Sequence, residues 1–372
     1  MKRQINVGLI GHKFMGKAHS HALRDLPMFF DPGVEPVMKT LCGVGDDLDE
    51  TARRYGWLST TQRWQDVIED PAIDAVSILT PGKLHCEIAL AAAANGKHIL
   101  CEKPLALNSA EAARMYAAAA AAGICHMVNF NYRRVPAVAL AKQLIDEGRL
   151  GAIYHFQCSY QQDWPLDPAC PYIWRFDKTV AGAGSMADKG SHVVDLARYL
   201  AGEFAEVSAA TEIFVRERQQ RAVTTDDAAV FTVRFESGAL GLFLTSRMSA
   251  GHKNSLAFEV NGSRGSLAWN LERLNELQVY EAGGSVAGFR NVMVTESSHP
   301  YAAAWWPAGH VLGWEHTFIH QYYEFLKGIA EQRQPAPSFL DGLRNHQVLD
   351  SIERAAAEKR WIEVPQMKEA NA

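Results

Sequence analysis

Residues 5–19, INVGLIGHKFMGKAH, decide how this chain is read. The apolar run Ile5 to Ile10 predicts a short strand, Gly11 a tight turn, and Met15 onward a helix running towards Leu26. A strand, a glycine turn and a helix in that order leave backbone N–H groups free at the positive end of the helix, which suits the pyrophosphate of a dinucleotide. The usual spacing is Gly-x-Gly-x-x-Gly, and here its middle position is Lys13 between Gly11 and Gly16. A side chain there obstructs the close approach of pyrophosphate to backbone, so Lys13 is expected to bend outward and set its ammonium beside the phosphates. Gly11, Lys13, Phe14 and Met15 are therefore candidate cofactor contacts. The same stretch falls short of a nucleoside-triphosphate loop, because Ala18 stands where Ser or Thr ligates magnesium. A turn that packs a helix and binds nothing is the plain alternative.

Outward from this turn, strands are expected at Val37 to Val44, Ala75 to Leu79, His98 to Cys101 and His126 to Asn129. Between them lie the helical stretches Leu48 to Tyr55, Trp64 to Glu69, Glu87 to Asn95 and Ala112 to Ala122. Strands alternating with helices imply right-handed crossovers and a doubly wound parallel sheet. The fold class is thus α/β, with an N-terminal Rossmann domain over residues 1–128. From residue 129 to 372 the pattern becomes α+β with a large, mostly antiparallel sheet. Its strands fall near Tyr154 to Tyr160, Ala228 to Phe235, Gly241 to Ser246 and Leu256 to Val260, and closing helices near 314–333 and 343–360.

The chain has 372 residues, 48% hydrophobic and 21% charged, with net charge -5. That balance fits a globular protein of two domains and provides no basic face for nucleic acid or a membrane surface. The six cysteines are dispersed, with no Cys-x-x-Cys and no zinc-ligand spacing, so no metal is expected. Met1-Lys2-Arg3 leads straight into a strand and no long apolar span follows, which makes the cytoplasm the expected location.

Oxidation of a secondary alcohol needs a base for the hydroxyl proton and a donor that steadies the developing alkoxide. Lys103 stands at the end of a parallel strand, where doubly wound sheets bind ligands, and supplies the donor. A helix expected to begin at Ser185 puts Asp188 and His192 four residues apart on one face. A carboxylate beside imidazole raises its basicity and selects its tautomer. After the second strand, Asp46 and Asp47 follow a little late as acids to read the ribose, Asp46 being the candidate site residue; an acid there favours NAD while leaving NADP open. Tyr132, Gln162 and Trp164 offer aromatic faces and hydrogen bonds to a sugar, whereas Tyr160 and Tyr172 read as core, and His19 and His21 as helix-face residues.

Taken together, Val7-Gly8-Leu9-Ile10-Gly11 with Phe14 to His19, Thr80-Pro81-x-x-Leu84-His85, Glu102-Lys103-Pro104, Asn129 to Arg133, and Asp188-x-x-x-His192-x-x-Asp195 resemble the Gfo/Idh/MocA oxidoreductases almost end to end. Asn131 to Arg134, Gln162-Asp163-Trp164, Trp174-Arg175-Phe176 and Ala197 to Leu200 resemble the levoglucosan dehydrogenase branch. The resemblance implies catalytic Lys103 and His192 assisted by Asp188. It also implies a cofactor site lined by Thr80, Pro81, His85, Glu102, Asn131, Trp174 and Arg175, and a homodimer or homotetramer built through the second-domain sheet. Lys13, Gly82 and Gly43 depart from the family pattern, Gly43 standing at its usual acidic site. The expected reaction is NAD-linked oxidation of a ring hydroxyl of a sugar, anhydrosugar or cyclitol, first of all levoglucosan to its 3-keto form. Inositol 2-dehydrogenase, glucoside 3-dehydrogenase, an NAD-dependent glycosidase of this fold and a non-enzymatic dinucleotide sensor are the alternatives.

Overall fold

Six strands, β1 (Gln4–Ile10), β2 (Glu35–Cys42), β3 (Ser59–Thr61), β4 (Ala75–Ile78), β5 (His98–Cys101) and β6 (His126–Val128), form one wholly parallel sheet in the order β3-β2-β1-β4-β5-β6. The computed structural model describes residues 2–285 and 287–366. A parallel sheet is covered on both faces, and β4 accordingly has all four residues buried. The covering helices are α1 (Phe14–Phe29), α2 (Leu48–Tyr55), α3 (Trp64–Glu69), α4 (His85–Ala94) and α5 (Ser109–Ala121). Asn108 caps α5 by accepting a bond from the Glu111 N–H, as its spacing from Glu111 predicts. Strand order reverses between β1 and β4, and there Gly11 follows one strand while Leu79 follows the other.

Two differences from the sequence expectation stand out in this unit. The edge strand β3 is an addition; its three polar residues, Ser-Thr-Thr, carry no apolar pattern, and beside its backbone pairing with β2 the Ser59 hydroxyl lies 2.9 Å from that of Thr40. The first compact unit is also discontinuous, taking Met1–Arg134 together with Gly313–Leu343, while the second takes Val135–Leu312 and Arg344–Ala372. A single cut near residue 128 therefore misses a returning segment. Its helix His316–Glu331 packs on α1, and Tyr322 reaches Ser77 of β4 through a 2.6 Å hydrogen bond. Residues 367–372 of the expected second domain lie outside the described ones.

The second unit contains α6 (Pro136–Asp146), β7 (Ile153–Gln161), α7 (Lys178–Ala181), α8 (Ser191–Ala201) and β8 (Phe204–Glu212). A small hairpin follows, β9 (Glu217–Arg218) with β10 (Arg221–Ala222). Then come β11 (Ala228–Phe235), β12 (Leu240–Ser246), β13 (Ser255–Gly262), β14 (Gly265–Asn270), β15 (Glu276–Glu281), β16 (Arg290–Met293) and β17 (Ile362–Glu363). Nine of these strands make one sheet ordered β16-β15-β14-β13-β7-β12-β11-β8-β17, antiparallel except for the central pair β7 and β12. Alternation along β11 buries Ala229, Phe231, Val233 and Phe235 and turns Val230, Thr232 and Arg234 outward. On the buried side Phe231 stacks on Phe243 at 4.6 Å, and Phe156 on Phe258 at 6.0 Å.

Candidate active site

In the turn after β1, Gly11 has φ +121°, and a Cβ there would lie 2.8 Å from the Leu79 carbonyl oxygen. A Cβ on Gly16 would lie 2.3 Å from the Gly11 oxygen, so both positions demand glycine. The first N–H groups of α1 have no partner within the helix, and its first turn holds no acid to compete for an anion. Nearby, after β4, Thr80 Oγ1 is buried and has no hydrogen-bond partner among the described residues. Free amides at a helix start and a buried hydroxyl awaiting a partner fit a dinucleotide. Phe14, 70% exposed, stacks on Trp314 at 5.8 Å.

Lys13 is largely exposed, and in that position its Nζ donates to both oxygens of Asp47, at 2.7 and 2.8 Å. Asp47, at the start of α2, is also the acid that meets the turn, whereas the expected Asp46 is simply exposed. Position 43 itself has no room for an acid: a Cβ on Gly43 would come within 2.0 Å of His12 Nδ1. His12 Nε2 then lies 3.1 Å from Asp47 Oδ1. The Lys13 bond, seconded by His12, holds the Asp47 carboxyl down at about 2.

Behind half-buried Lys103 lies a polar network that sequence reasoning missed. Glu102 Oε1 is 2.9 Å from His19 Nε2 and accepts from Asn129 Nδ2 at 2.6 Å, while Oε2 accepts from the Lys103 N–H at 3.1 Å. His19 Nδ1 is 2.9 Å from the Tyr322 hydroxyl. Burial pushes the Glu102 carboxyl up, but the His19 bond and charge, the Lys103 charge and the Asn129 bond outweigh it and keep it below the usual range. His19 is thus a fully buried partner of Glu102 and not a mere helix-face residue. Its position among the buried Ala18, Ala22, Leu23 and Leu26 of α1 was the available signal. His85 has its nitrogens 2.8 Å from the Thr80 oxygen and 3.1 Å from that of Pro104, so it fastens two strand-end loops together. Burial lowers its pKa against those carbonyls. Asn131 donates to Thr317 at 2.8 Å and Tyr132 is buried beside it in the chain.

In the second unit, Met186–Gly190 is a π-helical turn that runs into α8, in place of the uniform helix expected from Ser185. Asp188 and His192 therefore straddle a junction of wide and regular turns, a kind of irregularity common at functional sites. Asp226 fixes the entry: its carboxylate accepts from the Gly184 N–H at 2.7 Å and the Met186 N–H at 2.8 Å. Gly184 has no room for a side chain, since a Cβ would sit 1.9 Å from the backbone carbonyl oxygen of Asp226. Asp188 Oδ2 faces the buried Lys189 Nζ at 3.3 Å. The buried His192 ring lies 5.8 Å from that of Tyr160. Tyr160 is core, as expected, yet its hydroxyl donates to Asn254, which also accepts from Gln162 at 2.6 Å.

Trp164 and Trp174 remain 40% and 39% exposed. The guanidinium of Arg175 lies over the Trp174 ring, and Trp164 packs on Phe176 at 5.7 Å. Phe176 is in turn sandwiched by Arg218 and Arg247, at 4.9 and 4.8 Å. Arg247 Nε donates to Asp227 at 2.7 Å, both side chains being buried, and its other nitrogens reach the carbonyls of Arg175 and Thr225. Sequence reasoning passed over this brace; the doublet Asp226-Asp227 before an apolar strand was its only trace.

Comparison with known proteins matches the two parts of the chain to separate domain models. A model of an oxidoreductase family with an NAD-binding Rossmann fold matches residues 5–130, and a Gfo/Idh/MocA C-terminal domain model matches residues 138–268. The chain is 43% identical to a levoglucosan dehydrogenase of Pseudarthrobacter phenanthrenivorans, over 98% of this chain and 99% of that one. To an NAD-dependent scyllo-inositol 2-dehydrogenase of Bacillus subtilis it is 32% identical, over 77% and 79%. A solved levoglucosan dehydrogenase in complex with NADH and levoglucosan superposes with TM-score 0.95 at 45% identity, covering 98% of this chain and all of the other.

Proposed function

Because the chain belongs to the Gfo/Idh/MocA oxidoreductases, we propose that it oxidises a secondary ring hydroxyl of a sugar, anhydrosugar or cyclitol with NAD, levoglucosan to its 3-keto form being the first reaction to test. End-to-end likeness to a levoglucosan dehydrogenase is the observation that carries this reading. The amides of Phe14 and Met15, beside Gly11, receive the pyrophosphate, and Thr80, Pro81, Trp174 and Arg175 line the rest of the cofactor. NAD supplies the acceptor for the hydride.

As the hydride leaves carbon, the hydroxyl must lose its proton. Lys103 donates a hydrogen bond to the reacting oxygen and favours its negative charge, held at its strand end by Glu102. A ring nitrogen of His192 takes the proton, and Asp188 favours the tautomer that can do so. The exposed faces of Trp164 and Trp174, with Gln162 and Tyr132, suit the apolar and hydroxyl faces of a pyranose. Val230, Leu240 and Leu242, about half exposed on the outward side of the nine-stranded sheet, support a homodimer or homotetramer through that face. Among the described residues no helix is long and apolar enough to cross a membrane. Six free cysteines, five of them buried, suit the reducing cytoplasm.

The test is a screen of levoglucosan, glucosides and inositols with NAD, followed at the reduced-nicotinamide absorbance band. A 3-keto product formed together with NADH is the expected result. Free sugar released without net NADH would reassign the chain to the glycosidase chemistry, and dinucleotide binding without turnover of any of these compounds to a sensor.

A further inference from the structure

Two adjacent side chains of the glycine turn, His12 and Lys13, converge on the carboxylate of Asp47 past β2. Lys13, at the middle position of the glycine turn, donates to both Asp47 oxygens. His12, with its side chain 3% exposed, meets Oδ1 of the same group. Gly43, just past β2, has no room for a side chain because the His12 ring stands where one would go. Gly45, at φ +123°, keeps the backbone close, since a Cβ there would touch Asp47 Oδ1 at 3.0 Å. The carboxylate is thus anchored from one side by a buried ring. From the other it is held by an ammonium on a flexible, 65% exposed stem.

In a Rossmann unit, an acid past the second strand accepts the adenosine ribose hydroxyls and repels a 2′-phosphate, whereas a cation there accommodates that phosphate. This chain places both on one pair. Resting on the reading that this unit binds a dinucleotide, we propose that Lys13 and Asp47 are a cofactor-sorting pair. The Asp47 carboxylate, steadied by His12, accepts the ribose hydroxyls of NAD, and Lys13 is its counter-ion. When a 2′-phosphate arrives, Lys13 swings from the carboxylate to the phosphate, so that NADP is admitted as a second cofactor.

Calorimetric titration of the full chain with NAD and with NADP, without sugar, tests this independently of turnover. Lys13→Met should weaken NADP binding roughly 10-fold or more, the worth of one charge-assisted bond, and NAD less than about 3-fold. Asp47→Asn should do the opposite, tightening NADP and weakening NAD. Both side chains are largely exposed, so each variant should keep the wild-type melting temperature. Equal losses for the two cofactors in Lys13→Met would put the ammonium at the shared pyrophosphate and overturn the sorting role. So would a wild type that binds NAD with no measurable affinity for NADP. A wild type that binds neither would overturn the dinucleotide reading itself.

Discussion

Lys103 in the first unit and His192 in the second are held by different means. Lys103 follows β5 of a parallel sheet, and the groups that support it are neighbours in the strand-end layer: Glu102 one residue before, Asn129 just past β6, and His19 on α1. His192 follows a π-helical turn that no regular element could supply. Its entry is tied by Asp226, and the adjoining Asp227 holds Arg247 from beyond β12. In one unit the topology does most of the placing. In the other, buried charged side chains hold an irregular backbone in a shape it would not keep alone.

That contrast breaks most easily at Arg247. Arg247→Leu strands Asp227 as a buried charge and frees the carbonyls of Arg175 and Thr225. We expect a loss of about 3–5 kcal/mol in urea denaturation, with activity lost alongside. A loss below about 1 kcal/mol would mean that the turn keeps its form without the brace. His192→Ala probes the chemistry that the brace serves. It should lower kcat on the order of 10²-fold or more, about 3 kcal/mol of barrier, while the Kd for NAD stays nearly unchanged. Wild-type turnover in this variant would remove His192 from the role of base.

The same contrast governs what could be read from sequence. Strand, turn and helix at residues 5–19, and Lys103 at a strand end, were legible because the central parallel strands are mostly apolar and glycine is demanded where backbones meet. Tyr322 was not legible, since its contact with Ser77 joins residues 245 positions apart and leaves no periodic trace. Of the two acids the sequence offers after β2, Asp47 is singled out by its bonds to Lys13 and His12, which exist only in three dimensions. The π-turn was read as ordinary helix because its residues have no composition of their own, and its cause, Asp226, lies some forty residues on.

Acid sharpens the comparison from the side of the first unit, where burial pushes down His85, His98, His126, His316 and His320. His126 is lowered to about 4, burial being the main cause, and its Nδ1 accepts the Phe339 N–H at 3.1 Å, as a neutral ring can. Above pH 6.5 it is neutral folded or unfolded and contributes no pH dependence. As pH falls from 6.5 towards 4 the unfolded chain takes up the proton first, so stability drops. At pH 5 this one residue costs about 2 kcal/mol. Denaturation at pH 7 and pH 5 should show a loss that shrinks by about that amount in His126→Asn.

The smallest effect asks whether the first unit also leans on a remote side chain. Tyr322 comes from the returning segment, and its hydroxyl sits between His19 and Ser77. Tyr322→Phe deletes that hydroxyl and keeps the ring, which still packs edge-on against His19. Because Glu102 keeps its bonds from His19 and Asn129, the expected cost is about 1 kcal/mol of stability and a few-fold in kcat, with KM for NAD steady. Were the loss instead as large as that for Arg247→Leu, Lys103 too would depend on a distant buried polar group. The difference between the two units would then be one of degree, set by how many such groups each site needs, and a parallel strand end would lose its claim to place Lys103 by topology alone.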